Sequence, residues 1–358
     1  MFTKKQVKEL KEHLNKAQNP LFLFDNDQDG LCSFLILQRK YDKGKGFPIK
    51  SPELDKDYFR KVRELNPDYI FVLDEPRISE DFFEKVKQYN IPLVWVDHHL
   101  LDEEQKKIIP ESIEYYNPKY NKNPTGEPVT ALCYQISGES KENLWLAVVG
   151  CISDGYLPEE WFKEFKELYP DLIGNFNEKK DSNAFDVFYG TEVGKIARIF
   201  SFGLKDRTTN VIRMMKFLKQ AKTPYDVLYE SSKNKAMHQR YDEINKKYEK
   251  FLDEAKNKAE DKKILFFEYG GDMSMSSEIA NGLSYIFPDK YIIIVYTGGD
   301  KANVSGRGES IKPIVLEALK DIEDSTGGGH NNAVGARIRK QDIQKFKENL
   351  EKAVGDKG

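Results

Sequence analysis

Four short segments of this 358-residue sequence hold carboxylates and imidazoles at spacings that could do chemistry. The first is Asp25-Asn26-Asp27-Gln28-Asp29-Gly30, directly after an apolar run at 21–24. Three alternating carboxylates repel one another and raise one another's pKa unless a cation sits among them. Hard divalent cations take carboxylate oxygens, so a metal explains the cluster. A calcium loop of the EF-hand sort would need a Glu several residues past the glycine. Here Leu31-Cys32-Ser33-Phe34-Leu35-Ile36 follows and reads as the apolar face of a helix. A solvated acidic turn is the plainer alternative. The second segment, Val72-Leu73-Asp74-Glu75-Pro76, is weak alone, because an Asp after a strand is often a helix N-cap. In the third, Trp95-Val96-Asp97-His98-His99-Leu100, one imidazole can bind a metal while a carboxylate fixes the tautomer of the other. The fourth, Val149-Gly150-Cys151-Ile152-Ser153-Asp154-Gly155, reads alone as a helix terminus and gains meaning only as a further carboxylate for the same metals.

The elements that must position these groups are legible around them. Apolar runs at 21–24, 69–73 and 93–96 read as buried parallel strands, with helical stretches at 31–40, 57–65 and 80–89. Alternation of this kind predicts βαβ units, that is, a parallel sheet with flanking helices. Ligand sites in such sheets lie outside the carboxyl ends of the strands. Three strand ends therefore deliver Asp25, Asp27 and Asp29, then Asp74, then Asp97, His98 and His99 to one crevice. Residues 161–183 read as loop and helix, with breakers at Pro170 and Gly174, and the polar stretch 6–18 as a helix. From 194 to 263 the pattern is helical and basic, 18 Lys+Arg against 10 Asp+Glu, while residues 1–194 are acidic. That contrast suits a metal-and-phosphate enzyme, or simply a solvated, lysine-rich helical connector. Beyond 263, strands at 264–267, 291–296, 302–305 and 335–338 alternate with helices at 276–286, 312–319 and 341–354. A glycine-rich turn is expected at 327–329. The predicted fold is α/β with three parts: 1–193 with the parallel sheet, a helical connector at 194–263, and a smaller α/β domain at 264–358.

Composition excludes several classes. Hydrophobic content is 39% and charged content 32%, with no apolar run long enough for a transmembrane helix and no apolar leader, so a cytoplasmic protein without a membrane partner is expected. Cys32, Cys133 and Cys151 lack CxxC spacing, which argues against a zinc site or a disulfide framework. Of the five histidines, His13 and His238 read as ordinary surface residues. In the small domain, Gly327-Gly328-Gly329-His330 lets backbone N–H groups approach a phosphate closely, and Arg307 offers it a bidentate contact.

In this order, Asp25–Gly30, Asp74, Asp97-His98-His99 and Asp154 resemble the DHH phosphoesterase superfamily. The DxDxDG form looks more like the RecJ-type nuclease branch than the branch of nanoRNases and cyclic-dinucleotide phosphodiesterases. The latter has His-x-x-x-Asp-x-Asp, and here Leu23 stands four residues before Asp27. Asn117-Pro118 and Thr125-Gly126 also fit. The run from Gly327 to Gly335 resembles the GGGHxxAxG signature of the DHHA1 domain, and Val304-Ser305-Gly306-Arg307 its Ser-x-Arg strand. The likeness covers roughly 20–345, and the helical middle looks like archaeal RecJ-like proteins. Pyrophosphatases share the DHH motif but carry a C-terminal domain without the GGGH run.

The resemblance implies a single-strand exonuclease that releases mononucleotides from DNA or RNA with two ions, Mn2+ or Mg2+. It implies Asp25, Asp27, Asp29, Asp74, His98 and Asp154 as ligands and Asp97 and His99 as catalytic helpers. Ser305, Arg307, Gly328, Gly329 and His330 would bind the strand. Its expected partners are single-stranded nucleic acid or short oligonucleotides and DNA replication or repair proteins. No OB-type domain of the kind bacterial RecJ-type enzymes add is expected here, which gives weight to short substrates: very short RNA, phosphoadenosine phosphate or a cyclic dinucleotide. A non-catalytic replication scaffold is the reading from another class.

Overall fold

The computed structural model describes residues 1–174, 176, 183–259 and 262–355. Part of the 161–183 loop and part of the 194–263 connector expected above lie outside the described residues. Two compact units divide the chain, Met1–Tyr241 and Asp242–Gly358. The boundary falls within the helix Lys235–Asn257. Residues 194–241, expected as the front of a separate connector, thus belong to the first unit. Pro224 sits in the first turn of a short helix, Pro224–Leu228, where its missing N–H is no loss.

The first unit is built on five parallel strands: β1 (Pro20–Asp25), β2 (Lys45–Ile49), β3 (Tyr69–Leu73), β4 (Leu93–Val96) and β5 (Glu114–Tyr116). Their spatial order is β2-β1-β3-β4-β5. The order reverses between β1 and β3, and that switch point is where such sheets open a crevice at their carboxyl ends. Successive residues face opposite sides, as strand geometry requires. Leu21, Leu23, Ile70, Val72, Leu93 and Trp95 pack with Phe59, Phe82 and Val86 of the helices Phe59–Leu65 and Glu80–Tyr89. On the other side Phe22 stacks on Phe71, and Phe24 on Phe34 of the helix Gln28–Tyr41. That helix lies against Val129–Ser137 and Leu144–Ser153, both almost wholly buried. The N-terminal helix runs Lys4–Lys16 and starts at a Thr3–Gln6 capping box.

The second unit carries a mixed sheet of β6 (Ile264–Tyr269), β7 (Tyr291–Tyr296), β8 (Lys301–Arg307), β9 (Thr326–His330) and β10 (Ala333–Arg339), ordered β6-β7-β8-β10-β9. β6 and β7 pair in parallel and the remaining pairs are antiparallel. Helices Ile311–Leu319 and Ile343–Gly355 close a core that includes Ile293, Val304, Ile314, Phe346 and Leu350. The glycine-rich run departs from its expected form. It is not a turn but strand β9, held in register by β10, with every residue exposed. His238 also departs from expectation: it is buried, and its Nε2 meets the Val227 carbonyl at 2.9 Å. Among the described residues no helix is long and apolar enough to cross a membrane.

Candidate metal centre and substrate face

β1 ends at Asp25, and the chain turns at once into the helix Gln28–Tyr41. Asp27 caps that helix, accepting the Gly30 N–H at 2.9 Å. Asp29 lies in its first turn, 1% exposed, and reaches across to a second helix start. Its two oxygens accept the N–H groups of Val129 (2.9 Å) and Thr130 (2.6 Å), which open the helix Val129–Ser137. One carboxylate therefore satisfies two donors that a helix N-terminus otherwise leaves unpaired. Gly30 is required where the chain folds back on the strand end: a Cβ there would stand 2.4 Å from the Asp25 carbonyl oxygen.

Asp74 follows β3 with φ 61°, the left-handed region, where Asp is one of the few non-glycine residues found. Such backbone costs of the order of 1–3 kcal/mol and gathers at functional sites. Its amide donates to the Val96 carbonyl at 3.0 Å, which aims the side chain into the crevice beside β4. Its Oδ1 is buried without a hydrogen-bond partner among the described residues, 3.4 Å from His98 Nε2 and 3.8 Å from His99 Nδ1. His98 Nε2 is also 3.7 Å from Asp154 Oδ2, at the end of the helix Leu144–Ser153. Asp97 is fully buried and grips His99 twice, by Nδ1 at 2.8 Å and by its amide at 3.1 Å.

These residues form three groups whose ligand atoms lie within 4.8 Å of one another: Asp25, Asp27 and Asp74; Asp29, His98 and Asp154; Asp74, His98 and His99. Asp74 and His98 are each shared by two groups. All the ligands expected from sequence are thus gathered, with His99 beside them, while Asp97 stands behind His99. Burial pushes Asp25 up to about 8, with the neighbouring Asp27 charge adding to it. Burial, then Asp27, pushes Asp29 up to about 7. Asp74 and Asp154 are raised well above the carboxylate range by burial and then by the other carboxylates, and Asp27 is raised by burial. For His99 burial acts downward, but the Asp97 hydrogen bond and the charges of Asp97, Asp154 and Asp25 carry it up to about 9. A crowd of buried, mutually repelling oxygens with an orphaned Asp74 Oδ1 fits a hard divalent cation, and the imidazole beside them suits Mn2+.

Sequence reasoning missed two contributors. Glu75 is 2% exposed and raised to about 9, by burial first and then by the Asp25 charge. Its sole sequence signal is adjacency to Asp74. Tyr115 lies with its hydroxyl 3.5 Å from Asp97 Oδ2, and Asn117 Nδ2 donates both to that hydroxyl and to the His99 carbonyl at 2.7 Å. The signal was Asn117 itself; the tyrosine two residues before it, on the edge strand β5, carried none.

In the second unit, strand register aligns the other expected residues. Ala333 pairs with Arg307 on one side and His330 on the other; Gly335 pairs with Ser305 and with Gly328. Cross-strand partners, and residues two apart on a strand, share a face. Ser305, Arg307, Gly328 and His330 therefore occupy one face of three adjacent strands. Gly328 and Gly335 leave open space there, since a Cβ at either would meet nothing within 4 Å. Gly329 lies on the opposite face with φ +135°. Arg307 is held by Nε to Asn281 Oδ1 at 2.6 Å, and the Ser305 hydroxyl meets that of Ser277 at 3.4 Å.

Comparison with known proteins places these observations. The DHHA1 domain family matches residues 242–356, the second unit almost to the residue. No curated protein matches the chain. RecJ in complex with Mn2+ from Thermus thermophilus is similar in structure at 15% identity and a TM-score of 0.71, over 98% of this chain and 54% of that one. This chain thus spans about half the length of the Thermus protein. An exonuclease RecJ bound to manganese is similar over 98% and 94% of the two chains, at 14% identity and a TM-score of 0.67. The pGpG-specific phosphodiesterase PggH from Vibrio cholerae is similar over 95% and 100%, at 10% identity and a TM-score of 0.50. At these identities the likeness is one of fold.

Proposed function

From a chain that carries a DHHA1 domain at its C-terminal end and has a RecJ-like fold, we propose a metal-dependent phosphodiesterase that removes mononucleotides from an end of single-stranded DNA or RNA. The observation that carries this is the convergence of Asp25, Asp27, Asp29, Asp74, His98 and Asp154 into overlapping ligand groups, with the Asp74 carboxylate common to two of them. Asp25, Asp27, Asp29, Asp74, His98 and Asp154 would hold two ions, Mn2+ or Mg2+. Bound there, the ions would supply Lewis-acid polarisation of the phosphodiester and a nucleophilic water at neutral pH.

The chain's own residues do the rest. Asp29 and Asp27 are fixed by helix N-termini, so their oxygens keep their places without help from a ligand. Asp97 fixes the His99 ring through Nδ1, leaving Nε2 to give a proton to the departing oxygen. Without metal, burial lowers and the Asp97 hydrogen bond and charge raise that imidazole, to about 9, which favours its proton-donating form. On the second unit, Arg307 and His330 share a face with the glycine floor of Gly328 and Gly335, with Ser305 beside it and Gly329 behind it on the opposite face. The shared face would take phosphates of the strand. Association with DNA replication or repair proteins is part of the same reading.

A second reading comes from the likeness in fold to the Vibrio phosphodiesterase, which this chain matches over its whole length, as it matches a manganese-bound RecJ over 94%. It makes dinucleotides and other very short substrates the target. A scaffold without activity has no need of the full acidic set. The deciding assay supplies Mn2+ and end-labelled DNA and RNA from dinucleotides to strands of about 30 nucleotides, a length beyond a single binding module, with His98→Ala as control. Stepwise shortening of long strands supports the nuclease. Turnover limited to dinucleotides supports the second reading, and none with any metal leaves the scaffold.

A further inference from the structure

Among the described residues of the first unit, seven large apolar side chains are exposed. Three of them adjoin the acidic cluster. Leu100 follows His99 and is 70% exposed; Tyr156 stands two residues past Asp154 at 36%; Phe185 is 40% exposed. Phe185 is distant in sequence, yet its ring edge lies against Gly155: a Cβ on that glycine would stand 3.3 Å from Phe185 Cζ. Gly155 has φ +73°, so the chain bends immediately after Asp154, with Phe185 against the bend and Tyr156 the next residue along the chain.

Hydrogen bonds anchor the helix behind Phe185. Asn183 caps the helix Ala184–Gly190 that carries Phe185. Thr191 joins that helix to the next, Glu192–Leu204, donating its hydroxyl to the Val187 carbonyl at 2.7 Å and accepting the Gly194 N–H at 3.2 Å. Gln28, inside the first acidic motif, donates to the Ala197 carbonyl at 3.4 Å, so the helix after Phe185 is tied to the metal-binding turn itself.

Single exposed apolar residues are ordinary on a protein surface. Two exposed aromatic rings beside a crowd of carboxylates, one on a capped helix, are another matter, because water wets the rings and cations crowd the acids. A ligand that is charged at one end and flat and apolar at the other satisfies both. We propose that Phe185 and Tyr156 form a stacking platform for a nucleobase next to the phosphodiester, with Leu100 closing its far side. The first unit would then itself select base-bearing phosphodiesters over base-free phosphate esters, without help from the second unit. The inference rests on the phosphodiesterase reading above and adds the residues that choose the substrate.

The test compares two labelled single strands of equal length under Mn2+, one intact and one with abasic sugars at the three terminal positions of both ends. Stacking contributes to binding of each base, so Phe185→Ala should raise KM on the intact strand about tenfold. It should change kcat little, leave the abasic strand unaffected, and be rescued by Phe185→Trp. Tyr156→Ala should act in the same direction. Tyr229→Ala, which removes a ring 62% exposed and stacked on Tyr225, should change neither strand. An unchanged KM in Phe185→Ala, or an equal loss on both strands, overturns the platform while the nuclease stands. If the unaltered chain cleaves neither strand, the nuclease reading falls and takes the platform with it.

Discussion

Asp74 combines three costs: a left-handed backbone, a buried carboxylate and an oxygen without a hydrogen bond among the described residues. Each is destabilising, and together they mark a residue kept for binding. Asp74→Asn keeps the shape and tolerates the same backbone, but removes the charge. The metal-free variant should melt no lower than the unaltered chain, or higher by a few degrees, an effect of about 1 kcal/mol. Stabilisation by Mn2+ should shrink, and hydrolysis should fall by about a thousandfold, the scale of losing a main charge-stabilising group. Thermal melts with and without Mn2+ read both effects. The raised carboxylates also set a pH dependence. With Asp25 near 8 and Asp29 near 7 in the fold, against ordinary values when unfolded, the folded state holds more protons. Their contribution to stability is therefore fully present below about pH 4 and lost as pH rises through 7 and 8. Melts of the metal-free protein should lose stability from pH 6 to 9, and the gain on adding Mn2+ should grow over the same interval. A gain that shrinks with rising pH would count against these ligands.

At the scale of elements, the site is made by helix starts meeting strand ends. Asp29 shows how: it sits in the first turn of one helix and caps another helix a hundred residues away. Asp29→Ala should cost about 1–2 kcal/mol by unpairing the Val129 and Thr130 amides, the range of a lost N-cap, as well as weakening metal binding. Asp29→Asn should recover part of the stability and little of the metal affinity. Urea unfolding without metal separates the two. The sequence made β1, β3 and β4 legible because a parallel strand buried on both faces is a near-continuous apolar run. It hid β2, whose Lys45-Gly46-Phe47-Pro48-Ile49 holds a glycine and a proline that only an edge position tolerates. β5 is three residues long and also an edge. The glycines of β9 read as a turn because nothing local reveals that β10 supplies their register. Phe185 and Tyr115 were invisible for the same reason: their neighbours at the site are distant in sequence or on a strand too short to announce itself.

For the molecule as a whole, the division of labour is between a unit that holds the acidic cluster and one that offers an open, glycine-floored face with Arg307 on it. If that face grips phosphates that do not react, Arg307→Ala should raise KM about tenfold or more and leave kcat nearly unchanged, the pattern of lost uniform binding. It should also lower the salt dependence of binding by about one counterion. A drop in kcat at constant KM would place Arg307 at the chemistry instead. The central claim is that the cluster of Asp25, Asp27, Asp29, Asp74, His98 and Asp154 drives phosphodiester hydrolysis through two divalent ions. The most direct measurement is the single-turnover cleavage rate of an end-labelled single strand as Mn2+ is titrated into chelator-stripped protein. The account predicts no cleavage without metal, a rate that climbs with close to the second power of Mn2+ at low concentration, and loss of that rise in Asp74→Asn. Cleavage that persists without divalent metal, or a saturating Mn2+ response that Asp74→Asn leaves intact, would contradict it.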